Sequence, residues 1–233
     1  MAGGLIATPT AEQGHPPRCG QDWRISPMAA SSPPPEDCRS ELLRRLRERG
    51  RATATSEATR IRELLERLER LEPANLLTDS TRLRGVWDLR WSSGRQPYLL
   101  TAPWLENLQV LDPERGRAMN LLRLAGPLGP LGAIAVQARI AVEGLQRVSV
   151  RFVRGGWLGP RLAQQRLELL REVRQSFPAW LDITVLDDEL RVCRGNAGTL
   201  FALVRRQDLR LEDLFGDAEG GTVVPPPAAT KNL

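Results

Sequence analysis

Charged residues in the last third of the chain are the first candidates for chemistry. Asp187 and Asp188 stand side by side, and Arg191 and Arg194 follow them in an apolar-alternating segment. Two neighbouring carboxylates can act as an acid and a base, and a guanidinium can hold a carboxylate, a hydroxyl or a carbonyl group. Aspartate is also common at hairpin turns, where it accepts backbone hydrogen bonds. We therefore expect Asp187 and Asp188 to be structural and not catalytic.

Arg194 is the more informative of the two arginines. If Leu190 and Val192 face the interior of a sheet, the pleat of the strand places Arg194 on the same face. A buried guanidinium requires a partner, which Asp182 or Asp188 would supply. Two interpretations stay open: Arg194 is a structural clamp, or it binds the polar head of an apolar ligand.

The scarcity of histidine and cysteine excludes several kinds of catalytic site. His15 is the only histidine, so catalytic Ser-His-Asp and Cys-His arrangements are excluded. Cys19, Cys38 and Cys193 form no CxxC pair, which argues against a disulfide framework and a zinc site and favours a reducing compartment. No phosphate-binding glycine motif is present. The sequence therefore predicts no enzyme, no metal and no cofactor.

The charge pattern predicts only weak attraction to an anionic surface. The chain has 33 basic and 28 acidic residues, a net charge of +5, and every basic residue except Lys231 is an arginine. These arginines are scattered among glutamates, and no sheet face interleaves basic with aromatic residues, so nucleic acid is not an expected partner. No apolar run reaches about 18 residues, the length that a membrane-spanning helix needs.

The first third of the chain predicts a disordered extension followed by two helices. Residues 1–37 are rich in Pro, Gly, Ala and Ser. Leucines and one isoleucine then recur at helical spacing in two segments, which end at Gly50 and at Pro73. We expect this helical segment, residues 38–75, to pack on the rest of the protein or to dock a protein partner.

After Pro73 the apolar spacing changes to the alternation that is typical of strands. Predicted strands cover about residues 83–91, 108–111, 118–124, 134–142 and 148–152, and a three-stranded meander runs from 180 to 204. One amphipathic helix is expected between Leu162 and Gln175. About eight antiparallel strands joined by short turns predict a mainly β fold, an up-and-down barrel over residues 80–208, with a mobile tail over residues 209–233.

A barrel of this size encloses packed side chains or one slim apolar ligand. Alternation along the strands predicts which residues face inward and contact such a ligand, and Arg194 is added as the arginine at the end of its predicted strand. The set is Trp91, Val136, Ile140, Val150, Phe152 and Arg194.

The two ends of the barrel carry further candidates. Gly85 and Trp87 predict closure of one end, because the glycine lets an arginine approach the indole. This arrangement resembles the Gly-x-Trp plus arginine device of lipocalins. Trp104, together with Trp157 and Leu158 on a glycine-flanked loop, is expected at the cavity mouth, where these three residues are candidates for membrane contact.

Three segments together resemble the plastid lipid-associated protein family, also called fibrillins or plastoglobulins, and specifically its cyanobacterial type. They are the helix end Leu68-Glu-Arg-Leu-Glu-Pro73, the strand Leu83-x-Gly-x-Trp-x-Leu-x-Trp-Ser-Ser93, and the meander Trp180-x-Asp-x-Thr-x-Leu-Asp-Asp-x-Leu-Arg-Val-x-Arg-Gly-Asn-x-Gly-x-Leu-Phe201. By position, the residues that match the C-terminal signature of the family are Asp187, Arg191, Arg194 and Gly195.

The resemblance implies a lipocalin-like barrel that binds or carries small apolar lipids such as prenylquinones, carotenoids or fatty acids, without catalysis. It also implies a cytoplasmic location with peripheral association to thylakoid membranes or lipid globules. The alternative is a structural or scaffold protein with a solid barrel, which coats lipid droplets or docks a protein partner through its N-terminal helices.

Overall fold

The computed structural model describes residues 34–48, 55–94, 96–99, 101–162 and 165–215. These residues all belong to one compact unit, 33–233. The expectations for the N-terminal extension, with His15 and Cys19, and for the tail beyond residue 215 lie outside the described residues.

Within these ranges, nine strands form one antiparallel sheet: β1 Gly85–Ser92, β2 Leu105–Asp112, β3 Arg117–Leu124, β4 Ala133–Val142, β5 Arg147–Leu162, β6 Gln165–Glu172, β7 Ala179–Leu186, β8 Leu190–Gly195 and β9 Leu200–Arg205. Eight of them close into a barrel in the order β1-β2-β3-β4-β5-β7-β8-β9, with β9 pairing back to β1. The predicted mainly β fold with a closed antiparallel barrel is therefore confirmed.

The ninth strand, β6, lies where the sequence predicted a helix and a loop. Val150 of β5 still pairs with β7, but from Arg154 onward the same edge of β5 pairs with β6. The helix predicted between Leu162 and Gln175 is wrong, and residues 154–160 form part of a strand and not a loop. Residues 166–169 alternate between polar and apolar side chains as a strand does. The free edge of β5 outweighs their high helix propensity because it offers backbone hydrogen bonds.

Three helices cover the outside and one end of the barrel. The helices α1 Pro35–Glu48 and α2 Thr55–Leu71 bury their leucine faces against the outer wall of β7, β8 and β9. The short helix α3 Leu76–Asp79 and the 3-10 turn after it place Leu76 and Leu83 in the core inside the barrel. Among the described residues, no helix combines the length and the apolar character needed to cross a membrane.

A fourth helix and a second outer cluster complete the packing. The helix α4 Leu211–Phe215 places Leu211 and Leu214 against the outer face of β1 to β4. Both faces of the sheet are therefore apolar over much of their area, which matters for deciding which side chains point inward.

Candidate functional site: the barrel interior and its open end

Strand pairing decides which side chains point into the barrel, since directly opposed residues share a face. Trp87 is opposed by Gln109 on β2 and by Arg205 on β9, and Arg191 of β8 is opposed by Leu203. Leu203 in turn opposes Leu89, two residues after Trp87 in β1. These residues therefore form one continuous inner surface.

One end of the barrel is closed around Trp87. Its side chain is fully buried, and Nε1 donates a hydrogen bond to the Leu83 carbonyl at 2.9 Å. The guanidinium carbon of Arg205 lies 4.2 Å from the indole centroid. Arg205 also donates to the carbonyls of Asp188 at 2.6 Å, Arg84 at 2.7 Å and Arg82. We call this end, which α3 covers, the closed end.

Gly85 makes room for that arginine. Its φ is +143°, a backbone conformation that residues other than glycine rarely adopt. A Cβ atom built there would collide with Nη1 of Arg205. The backbone of β1 and the guanidinium can therefore approach each other only because residue 85 has no side chain.

Arg194 does not face the interior, so the prediction that it points into the barrel is wrong. Leu190 and Val192 are fully buried against the two long helices on the outer wall, so Arg194, on the same face, points outward as well. Its guanidinium binds Glu69 of α2, with Nε–Oε1 at 2.8 Å, and not the predicted Asp182 or Asp188. Hydrogen bonding to Glu69 raises the pKa of Arg194.

Arg191, and not Arg194, is the arginine of β8 that lies inside the barrel. Its side chain is 0% exposed, and Nη2 donates to Oε1 of Gln109. The guanidinium carbon lies 5.1 Å from the Trp87 centroid on β1. Cys193 faces the same interior, and burial raises the pKa of its thiol to about 11, against the opposing effect of Arg191, so the thiol is neutral.

Trp91, predicted to contact a ligand, lies outside the barrel. A β-bulge between Leu89 and Trp91 shifts the register against β9, so that Trp91 opposes Ala202 on the outer wall. There it is 4% exposed and packs with the helices α1 and α2, 5.8 Å from the guanidinium of Arg62. The bulge turns its side chain away from the interior, so it cannot contact a ligand there.

The other predicted lining residues do face inward. Ile140 opposes Val150, and Phe152 opposes Ala138, which places them on the inner surface; Val136 opposes the inward-facing Asn120. Ile140 is buried, whereas Val136, Val150 and Phe152 are only half-buried and Asn120 is exposed. Solvent therefore reaches the inner surface away from the closed end.

We call the other end the open end: β1, β3 and β8 finish there, and β2, β4, β7 and β9 begin there. Of the 14 exposed large apolar side chains among the described residues, 11 surround it. They include two of the predicted membrane-contact residues, Trp104 and Trp157, which are 65% and 38% exposed. The others are Tyr98, Leu124, Leu128, Leu131, Ile134, Leu167, Leu169, Val173 and Phe177.

Leu158, the third predicted membrane-contact residue, is buried. It is 2% exposed and packs with Ala135 and Leu170 on the outer wall. Trp157 and Leu158 lie in a strand and not a loop, so their side chains point to opposite faces. The face that carries Leu158 is covered by the outer cluster, and the face that carries Trp157 is exposed.

Asp187 joins the β7–β8 turn to α1. Its carboxylate accepts hydrogen bonds from Arg39 Nε at 2.7 Å and from the backbone amides of Glu189 at 2.7 Å and Leu190 at 2.8 Å. Burial would raise the pKa of Asp187, but these hydrogen bonds outweigh it and hold the pKa below its usual value. The neighbouring Asp188 side chain is 84% exposed, so the two carboxylates have different surroundings.

Two depressions on the surface of the described residues lie outside the barrel. An open groove of about 680 Å³ lies between α1 and the β7–β8 turn, lined by Glu36, Arg39 and Asp187 among others. A pocket of about 10 Å³ lies by Leu121 and Leu158 on the outer wall. No three His, Cys, Asp or Glu side chains in the described part of the chain are arranged to hold a metal ion.

Gln109 and Asn120 were missed by the sequence analysis. They oppose each other on β2 and β3 and place amide groups on an otherwise apolar inner surface. In the sequence their spacing from Leu111 and Ala118 gives the same strand face, which is the signal that could have identified them.

Comparison with known proteins shows which family the sequence belongs to. The PAP_fibrillin family model matches residues 37–204. The chain is 28% identical to the light-induced chloroplastic protein of Solanum tuberosum over 76% of this chain and 71% of that protein. It is 24% identical to the probable plastid-lipid-associated protein 2 of Arabidopsis thaliana, over 68% and 66% of the two chains.

A third relative is the chromoplast-specific carotenoid-associated protein C1 of an Oncidium hybrid cultivar, 26% identical over 72% of this chain and 69% of that protein. No solved structure matches the chain significantly. Since the family model covers most of the chain, from α1 to the last barrel strand, this protein belongs to the PAP_fibrillin family, the plastid lipid-associated proteins.

Proposed function

We propose that the protein binds a small apolar lipid through the open end of its barrel while that end rests on a membrane or lipid-globule surface, and that it catalyses no reaction. The observation that carries this proposal is the concentration of exposed apolar side chains around the open end. Exposed apolar patches of this kind mark interaction sites on soluble domains. Trp and Leu side chains gain free energy when they enter the boundary between headgroups and acyl chains.

The inner surface supports the same function. Half-buried Val150, Phe152, Leu181 and Phe201 lie inside the barrel on the side that solvent reaches. An apolar chain that covered them would contribute about 25 cal/mol for each Å² of surface removed from water. A ligand would then pass between the lipid phase and the barrel without crossing bulk water.

The relatives point to a ligand class. One is named for plastid lipids and another for carotenoids. Together with the family resemblance, these names support prenylquinones, carotenoids or fatty acids as ligands, and thylakoid membranes or lipid globules as the surface.

A second candidate function is that of a structural protein with a solid barrel that coats lipid globules. The filled closed end favours it, because Leu83, Trp87, Leu89 and Leu203 pack there with 1% exposure or less. Docking of a protein partner through α1 and α2 is not supported, since their apolar faces are already buried against the barrel.

The test is to extract the purified protein with organic solvent, analyse the extract for isoprenoids and fatty acids, and then titrate the emptied protein with the same compounds. Carriage predicts co-purified lipid or saturable uptake at one site. A protein that contains none and takes up none, but still binds lipid vesicles, is a coat protein and not a carrier.

A further inference from the structure

Arg191 carries a positive charge into the barrel without a counter-ion among the described residues. Its side chain is 0% exposed, and neither Nε nor Nη1 has a hydrogen-bond partner. The acceptor of Nη2 is the neutral amide of Gln109. A buried guanidinium with two unsatisfied nitrogens is costly, so its retention requires an explanation.

The titratable neighbours do not neutralise this charge. Burial lowers the pKa of Arg191; the thiol of Cys193 opposes this shift, and Arg205 adds a like charge that lowers the pKa further. Glu69 of α2 acts electrostatically on Cys193, but its carboxylate is bonded to Arg194 on the outer wall. The interior around Arg191 is therefore electrostatically suited to an anion.

A polar route leads to Arg191 from the solvent-accessible interior. Asn120 is exposed on the inner surface and opposes Gln109, which is hydrogen-bonded to Arg191. The half-buried Phe152 and Phe201 pack against the apolar cluster of the same interior. An amphiphile can therefore lie with its chain along these rings and its polar end at the guanidinium.

We propose that Arg191 binds the carboxylate of an apolar-chain acid, so that the barrel prefers fatty acids over neutral lipids of the same length. This inference rests on the proposed lipid-binding function and assigns the head group of its ligand. A carboxylate supplies the opposite charge and two acceptors for the unsatisfied nitrogens, which a hydroxyl or a quinone carbonyl does not.

The test compares binding of radiolabelled oleate and oleyl alcohol to the delipidated full-length protein by equilibrium dialysis. We expect the dissociation constant of oleate to be at least about tenfold lower. Equal affinities would overturn the assignment of the head group and leave lipid binding intact. Failure of both compounds to bind would overturn the inference together with the proposed function.

Two variants test Arg191 itself. Arg191→Met removes the charge and retains the volume, so we expect it to bind both compounds with the affinity that the wild type shows for oleyl alcohol. Arg194→Met, which changes the arginine on the outer wall, is the control and should keep the preference for oleate.

Gln109→Glu gives a readout that does not depend on loss of Arg191. It places a carboxylate of the protein on the guanidinium, so we expect weaker oleate binding and a higher melting temperature. If Gln109→Glu folds and binds oleate as the wild type does, the carboxylate does not sit on Arg191. This variant also decides the question if Arg191→Met fails to fold.

Discussion

Arg205 lies over the indole of Trp87, with 4.2 Å between the guanidinium carbon and the ring centroid. The two residues oppose each other on β9 and β1, so the contact joins the last barrel strand to the first. Arg205 also binds three backbone carbonyls of the segments that enter and leave this end. One side chain therefore fixes both the closure of the barrel and the cover over it.

Replacement of Arg205 by methionine should destabilise the protein by about 2–4 kcal/mol. The variant loses a cation–π contact and several charge-assisted hydrogen bonds, each worth roughly 0.5–2 kcal/mol. Arg205→Lys should recover only part of this loss, because an ammonium group cannot bridge carbonyls with the geometry of a guanidinium. Urea denaturation measures both variants.

Arg139→Met is the control for this series, since Arg139 is exposed on the outer face of β4. Its free energy of unfolding should stay within about 0.5 kcal/mol of the wild type. A similarly small change for Arg205→Met would show that the closed end does not depend on this arginine.

Gly85→Ala should cost about 1–3 kcal/mol through backbone strain and the collision with Arg205. Part of the cost should disappear in the double variant with Arg205→Met, since the collision is relieved and the strained φ remains. Gly144→Ala is the control: it has no neighbour within 4 Å of the added atom, and its φ lies outside the strained range. Strict additivity of the two changes would mean that Gly85 and Arg205 are not coupled.

The barrel was accessible from the sequence, but the facing of β8 and of the end of β1 was not. Alternation predicted the barrel because every strand has at least one apolar face. Strand β8 is apolar on both faces: Leu190 and Val192 pack on helices, and Cys193 packs inside. Alternation alone cannot assign Arg191 and Arg194 to opposite sides in such a strand, since a change of one residue exchanges the two faces.

Trp91 was assigned to the wrong face for a different reason. Its strand contains a bulge, and a bulge leaves no reliable signal in an isolated sequence. The segment 165–172 shows a third limit: its composition favours a helix, and only the free edge of β5 makes it a strand.

Acid should weaken the protein through the helix pair α1–α2. Glu41 of α1 accepts hydrogen bonds from Arg60 at 2.7 Å and 3.0 Å and from Arg45 at 3.0 Å. The hydrogen bonds from Arg60 lower the pKa of Glu41 from 4.5 to about 2, with help from Arg45 and against the effect of burial. Because the folded pKa is the lower one, this stabilisation is complete above pH 4.5 and is lost as the pH falls towards 2.

Glu41→Gln should therefore lower the free energy of unfolding at neutral pH. Between pH 4.5 and 2 the variant should lose less stability than the wild type does, as measured by the midpoints of urea denaturation. Glu114→Gln, at an exposed turn between β2 and β3, is the control and should follow the wild-type curve. If Glu41→Gln lost stability with falling pH as steeply as the wild type, other carboxylates would dominate the acid response.

Trp104 and Leu77 provide a matched pair for testing the open end as the lipid-facing surface. Their side chains are 65% and 69% exposed, but Trp104 precedes β2 at the open end, whereas Leu77 lies in α3 at the closed end. We expect Trp104→Ser to reduce binding to phosphatidylcholine vesicles about tenfold, which corresponds to roughly 1.4 kcal/mol of lost apolar insertion. Leu77→Ser should bind as the wild type does, because its side chain faces away from the lipid. Equal losses for the two variants in a vesicle flotation assay would mean that binding follows general surface hydrophobicity and that the open end has no special orientation towards the membrane.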